Sequence, residues 1–152
     1  MFRHGLQTYD PKVRSTPKKE FIDPSIAVAS LGLSPQSLID DLNTFCFIFE
    51  TLCIRDLRIY TSEKLGEISY YRDRNGLEAD CVVHLENGDY SLIEFKLGSA
   101  EIEKGAKNLL KLKNLLKEKK FKEPKFLAVI TGSKFAYTTE DDVKVIPIGC
   151  LR

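Results

Sequence analysis

The chain contains 152 residues, of which 43% are hydrophobic and 30% charged, and its formal net charge is +1. This composition is typical of one globular domain with a proper core, and the small net charge excludes a general attraction of the protein to polyanions. No apolar run approaches the ~20 residues that span a bilayer, and the N-terminus lacks the apolar core of a secretory signal, so we expect a cytoplasmic protein that does not contact a membrane.

The first part of the chain is polar and contains Pro11 and Pro17 among basic residues. Such a composition is typical of a connecting segment rather than a packed element. We therefore predict an arm or linker remnant over residues 1–19 and a folded domain over residues 20–152.

Helices are predicted next. Residues 26–31 form a short helix, and Ser34 followed by Pro35 is a typical start for another. From there, apolar residues recur at helical spacing to about residue 58. Glu50 lies within this apolar stripe. Because an uncompensated buried carboxylate costs several kcal/mol, we expect Glu50 to have a partner: a cation, a metal ion or hydrogen-bond donors.

Three alternating apolar runs follow, separated by the turn signals Asn75-Gly76 and Asn87-Gly88, and they predict an antiparallel meander. We expect a two-residue loop at the first turn. At the second turn, a two-residue loop would set polar side chains opposite apolar ones. A three-residue loop over residues 87–89, with Gly88 or a neighbour left-handed, gives one apolar face instead, and burial of that face selects this register. The opposite face then gathers Asp80, Glu94 and Lys96.

The remaining elements are a helix over residues 101–120, a strand over 125–131 and a last strand over 143–148. The helix has one apolar and one lysine-rich side, and its place between two strands implies a right-handed crossover and a parallel pair. Pro147 confines the last strand to an edge. The predicted fold is α/β, with an αβββαβ core and a mixed sheet on which helices pack.

The cysteines are scattered, and none belongs to a Cys-x-x-Cys pair. Their apolar surroundings favour reduced, buried thiols over a zinc site. They are Cys46, Cys53, Cys81 and Cys150.

The element order, with Asp80, the sequence Glu94-Phe95-Lys96 and Glu50 on the first long helix, resembles the PD-(D/E)XK nuclease superfamily and its restriction-endonuclease-like fold. More narrowly, three phrases are similar to an uncharacterised carboxy-terminal domain found behind AAA-type ATPase modules in bacteria and archaea: residues 15–25, 71–80 and 93–97. The resemblance covers about residues 15–150. It implies an AAA-type ATPase domain as partner, in the same full-length chain. Because this sequence has no Walker-type phosphate-binding loop, the resemblance implies that it is a fragment of such a chain or a stand-alone relative.

The resemblance also implies a Mg²⁺ or Mn²⁺ site. Asp80, Glu94 and the Phe95 carbonyl would bind the ion, and Glu50 would be an outer or second-metal carboxylate. Asp80, Glu94 and Lys96 would be catalytic, with Lys96 orienting or deprotonating the attacking water. Mg²⁺ prefers such oxygen ligands and stabilises charge on a phosphodiester. Alanine replaces the proline of the superfamily's Pro-Asp motif, a departure also common in relatives.

Two functions remain open. One is a Mg²⁺-dependent nuclease acting on nucleic acid, and the other is a non-catalytic docking or regulatory module for the ATPase. Lysine-rich helix faces are usually only solvated, but this one also fits contacts with backbone phosphates, through Lys104, Lys107 and Lys111. The alternatives for the site are two solvated residues, Glu94 and Lys96, or a cross-strand ion pair between Asp80 and Lys96.

Overall fold

The predicted helices and strands form one mixed sheet with helices on both of its faces, in a computed structural model that describes residues 23–151. The six strands lie in the order β1-β2-β3-β4-β6-β5. The elements are α1 (Pro24–Ser30), α2 (Pro35–Asp40), α3 (Leu42–Ser62), β1 (Glu67–Arg72), β2 (Glu78–His84), β3 (Tyr90–Lys96), α4 (Ile102–Glu118), β4 (Leu127–Thr131), β5 (Tyr137–Thr138) and β6 (Val143–Pro147).

The predicted α/β class and αβββαβ core are confirmed. Strands β1, β2 and β3 form the antiparallel meander, and α4 connects β3 to β4, which pair in parallel. The arm predicted for residues 1–19 lies outside the described residues. Within residues 23–151, no helix has both the length and the apolar character needed to cross a membrane.

The single long helix predicted from Ser34 is wrong, because the chain breaks at Asp41. Ser34 and Pro35 start α2 as predicted. Asp41 then leaves the helical conformation, with φ −121° and ψ 86°. Its carboxylate accepts hydrogen bonds from the backbone N–H groups of Asn43 and Thr44. This N-cap starts α3 anew, and apolar spacing alone does not reveal it.

Both faces of the sheet are covered, which explains why all five residues of β4 are buried. The α4 face is the side on which α4 packs, with buried residues Ala79, Val82, Leu92, Ile102, Ala106, Leu109, Leu112, Leu127, Val129, Val143 and Val145. The α3 face is the opposite side, with buried residues Phe49, Cys53, Ile54, Leu57, Cys81, Ile93, Phe95, Ala128 and Ile130.

The turn between β2 and β3 has the predicted three residues, but they are 86–88 instead of 87–89. The Leu85 N–H donates to the Asp89 carbonyl at 2.8 Å, and Gly88 is left-handed with φ +77°. This is the usual three-residue loop, a turn followed by one left-handed residue. The strand pairing is consequently shifted by two residues from the prediction. A shift of two does not by itself exchange the two faces of a strand, and Cys81 and Val82 lie on their predicted faces.

The turn between β1 and β2 is also longer than predicted. The Asp73 N–H donates to the Leu77 carbonyl at 2.8 Å, which leaves three residues in the loop. Gly76, with φ +80°, supplies the left-handed residue. The two-residue loop is therefore wrong, although the predicted pairing of Ile68 with Val83 is confirmed.

Two smaller expectations need correction. Strand β6 lies between β4 and β5, so it is not at the edge, although Pro147 extends past the two residue pairs that β5 makes. Of the free cysteines, Cys53 and Cys81 are buried as predicted, whereas Cys46 and Cys150 are exposed. Cys46 is exposed because the buried part of α3 begins only at Ile48.

Candidate active site at the separated ends of β2 and β3

Asp80 lies at a bulge in β2. Between the paired positions Ser69–Val82 and Tyr71–Ala79, β2 contains one residue more than β1, and Asp80 falls within this interval. A bulge bends its strand and redirects side chains, and bulges are frequent beside active sites. It also resets the alternation of faces, which is why Ala79 and Val82 both lie on the α4 face.

The Asp80 carboxylate takes the place of a missing ladder contact between β2 and β3. Residue pairing of these strands stops at Cys81–Ile93. Beyond it, the Phe95 backbone N–H donates to Asp80 Oδ2 at 2.9 Å. The Asp80 side chain is only 14% exposed, and Lys96 Nζ lies 4.0 Å from the same oxygen. Asp80 is thus held in the gap where the two strands separate.

Glu94 and Lys96 form a close ion pair on the α4 face of β3. The distance from Lys96 Nζ to Glu94 Oε2 is 2.8 Å, and the Lys96 side chain is 21% exposed. Glu94 is 3% exposed. The alternative that both are solvated surface residues is therefore wrong for Glu94. The structure brings Asp80, Glu94 and Lys96 together as predicted from the alternation of faces.

Two residues of α4 that were not predicted from the sequence complete the cluster. Asn108 Nδ2 donates to Glu94 Oε1 at 2.5 Å and to the Glu78 carbonyl at 2.7 Å. A Cβ atom on Gly105 would lie 3.2 Å from both Cγ and Cε of Lys96, so the helix approaches this side chain closely. A glycine inside a helix costs about 1 kcal/mol relative to alanine. The sequence did contain a signal for this contact, because Gly105 and Asn108 lie one turn apart on the apolar side of the helix.

Burial and neighbouring charges set the protonation of the cluster. Burial, together with the charge of Asp80, raises the pKa of Glu94 to about 7, although Lys96 and Asn108 act in the opposite direction. Burial disfavours the charged form of Lys96. The hydrogen bond to Glu94 and the negative charges of Glu94 and Asp80 outweigh this effect and raise the pKa of Lys96 above its ordinary value. Lys96 is therefore a cation at neutral pH, while Glu94 is close to its titration point.

Glu50 lies on α3, whose buried side chains cover the opposite face of the sheet, and it is half-buried. In the part of the chain that the structure describes, no group of three or more His, Cys, Asp or Glu side chains is arranged to hold a metal ion. The carboxylates of Asp80 and Glu94 both lie within 4.0 Å of Lys96 Nζ. The roles predicted for Glu50 and for the Phe95 carbonyl stay predictions.

Lys104, Lys107 and Lys111 are exposed on α4, as predicted from its amphipathic pattern. Lys107 Nζ lies 2.5 Å from Glu103 on the helix surface. Their proposed contact with nucleic acid stays a prediction.

Comparison with known proteins gave one match. The model of the family described as Domain of unknown function (DUF4143) matches residues 45–151. This range includes all six strands and the residues Asp80, Glu94, Lys96, Gly105 and Asn108. Neither the curated proteins nor the solved structures contain a match to the chain.

The pKa of Glu94 predicts a pH-dependent stability. The pKa of Glu94 rises from 4.5 in the unfolded chain to about 7 in the fold. The contribution of this carboxyl group to the unfolding free energy is therefore fully present below pH 4.5 and is lost as the pH rises through about 7. Glu94→Gln mimics the protonated form and should remove this loss. Between pH 5 and about pH 8, we expect the unfolding free energy of the variant to increase by about 2 kcal/mol relative to that of the wild type.

The measurement is the unfolding free energy of both proteins across this pH range, in the presence of a chelator. The titration of His84, whose pKa is lowered by burial, is common to both proteins and cancels in the difference. Glu103→Gln, at an exposed carboxylate of α4, is the matched control and should run parallel to the wild type. Parallel curves for Glu94→Gln would contradict the prediction.

Proposed function

The chain belongs to the DUF4143 family, and we propose that its domain hydrolyses phosphodiester bonds of nucleic acid with Mg²⁺ or Mn²⁺. The observation that carries this proposal is the burial of Glu94 beside Asp80 and Lys96 at the end of β3. A buried ion pair is no better for stability than well-packed apolar side chains. Carboxylates with strongly shifted pKa values are concentrated at functional sites. The resemblance to PD-(D/E)XK nucleases assigns the same three residues to catalysis.

The available oxygen atoms suit a hard divalent ion. Mg²⁺ is usually held by one or two carboxylates and keeps several waters, and Asp80 and Glu94 supply such a pair. Among the described residues, Asp80 Oδ2 accepts the hydrogen bond from Phe95, and Oδ1 has no hydrogen-bond partner. Asp80 Oδ1 and Glu94 Oε2 are therefore the atoms that would hold the ion. When bound, the ion supplies an activated water and stabilises charge on the phosphate.

Lys96 serves two purposes in this proposal. Its ammonium group lies near both carboxylates, 2.8 Å from Glu94 Oε2 and 4.0 Å from Asp80 Oδ2, and balances their charge. With a divalent ion held by Asp80 and Glu94, the flexible stem of Lys96 would let its ammonium group turn toward the attacking water and the phosphate. Since its pKa is raised, Lys96 acts as a positive charge that orients water rather than as a base.

The exposed lysines of α4 supply contacts for the nucleic acid backbone. Lys104, Lys107 and Lys111 share the helix that packs Gly105 and Asn108 against the site. Contacts from lysine to phosphate provide affinity without sequence preference. The ion pair of Lys107 with Glu103 is on the surface, and such pairs exchange readily for another anion.

A second function is a docking or regulatory module for an AAA-type ATPase domain in the same full-length chain. The ion pair between Lys96 and Glu94 favours this second function, because the lysine already neutralises the glutamate without a metal ion. In this case the site would be a structural remnant of the nuclease fold. A divalent ion would then leave the melting temperature unchanged.

Substitutions at Asp80 and Lys96 separate the two functions. We expect Mn²⁺ to raise the melting temperature of the wild type, and Asp80→Asn to abolish both this rise and cleavage. Lys96→Met should abolish cleavage but bind Mn²⁺ at least as tightly, because the competing ammonium group is gone. Melting with Mn²⁺ and cleavage of labelled single- and double-stranded DNA and RNA are the measurements.

Lys64→Met, at an exposed lysine between α3 and β1, is the control and should behave like the wild type. Cleavage that persists unchanged in both Asp80→Asn and Lys96→Met would come from a contaminant and contradict the nuclease. If Mn²⁺ does not change the melting temperature of the wild type, the result would favour the docking module.

Gly105→Ala tests the close approach of α4 to Lys96. The added methyl would press on the Lys96 stem at 3.2 Å, while alanine itself gains up to about 1 kcal/mol of helix propensity. We expect the melting temperature to change little and the cleavage rate to fall about tenfold or more, because the ammonium is displaced. Wild-type cleavage by a normally folded Gly105→Ala protein would show that the position of Lys96 is not critical.

A further inference from the structure

Asn108 joins three elements of the fold at the candidate site. From α4, its Nδ2 atom donates to Glu94 Oε1 on β3 at 2.5 Å and to the Glu78 backbone carbonyl at 2.7 Å. Glu78 begins β2, two residues before Asp80. A side-chain amide nitrogen has two hydrogens, and both are used here. The amide therefore links the two strands that carry the carboxylates.

This arrangement leaves one oxygen of Glu94 for other partners. Asn108 occupies Oε1, and Oε2 faces Lys96 at 2.8 Å. A free glutamate side chain loses rotamer entropy when it is fixed. Here the hydrogen bond fixes the carboxylate before any ligand binds. Asn108 does this without adding charge, whereas a lysine at this position would compete with a cation.

We propose that Asn108 is a positioning residue for the divalent ion, because it holds Glu94 with Oε2 directed to the place that Lys96 and the ion share. The inference rests on the proposed function and deepens it. Asn108 does not itself touch the ion. Its effect passes through Glu94, in the way that outer hydrogen bonds orient carboxylate ligands in metal sites.

The test is direct Mn²⁺ binding to the full chain, measured from the electron paramagnetic resonance signal of the free ion, which does not depend on activity. Asn108→Leu is similar in size and removes both donors. Asn108→Gln keeps the amide on a longer stem. Asn114→Leu, at an exposed position of the same helix, is the matched control. Circular dichroism and melting of each variant report on the fold.

We expect Asn108→Leu to weaken Mn²⁺ binding by about 10- to 100-fold, Asn108→Gln to recover part of the loss, and Asn114→Leu to bind like the wild type. A purely structural role would lower the melting temperature of Asn108→Leu and leave its affinity for Mn²⁺ unchanged, which would overturn the proposal. If Asn108→Leu does not fold, wild-type affinity together with a lowered melting temperature in Asn108→Gln would overturn it equally.

The outcomes also separate this inference from the proposed function. Weakened Mn²⁺ binding in Asn108→Leu, with no cleavage of nucleic acid by the wild type, would uphold the role of Asn108 and overturn the nuclease. A wild type that binds no Mn²⁺ would overturn both.

Discussion

The balance of charge around Glu94 is the constraint on which the site depends. A carboxylate that is 3% exposed needs favourable partners, and Glu94 has two, Lys96 on β3 and Asn108 on α4, while the charge of Asp80 on β2 opposes its ionisation. Because each partner comes from a different element, the sheet and α4 must be correctly assembled before the cluster exists. The same requirement fixes the close packing of α4 at Gly105.

The helical spacing of apolar residues and their alternation along the strands predicted much of this arrangement. The alternation of β3 placed Glu94 and Lys96 on one face, and the meander brought Asp80 to them. An error of two residues in the strand register did not change this prediction, because such a shift does not exchange the two faces of a strand. The αβββαβ order similarly followed from two Asn-Gly turns and one amphipathic helix between strands.

What the sequence did not show depends on specific contacts that apolar spacing does not reveal. The break at Asp41 arises from a side-chain cap that competes with a continuous helix. The bulge at Asp80 is defined by the pairing of β1 with β2, so neither strand reveals it alone. Asn108 and Gly105 were missed, because their significance lies in contacts with residues of β3.

The pKa of Glu94, raised by burial, has a consequence for any divalent ion that binds this carboxyl group. An ion that binds Glu94 Oε2 must expel whatever proton the group still holds, so cation uptake and acid release become one event. Alkaline surroundings would then favour the loaded protein and mildly acidic ones the empty protein. In a weakly buffered solution, this exchange of a proton for the ion would lower the pH.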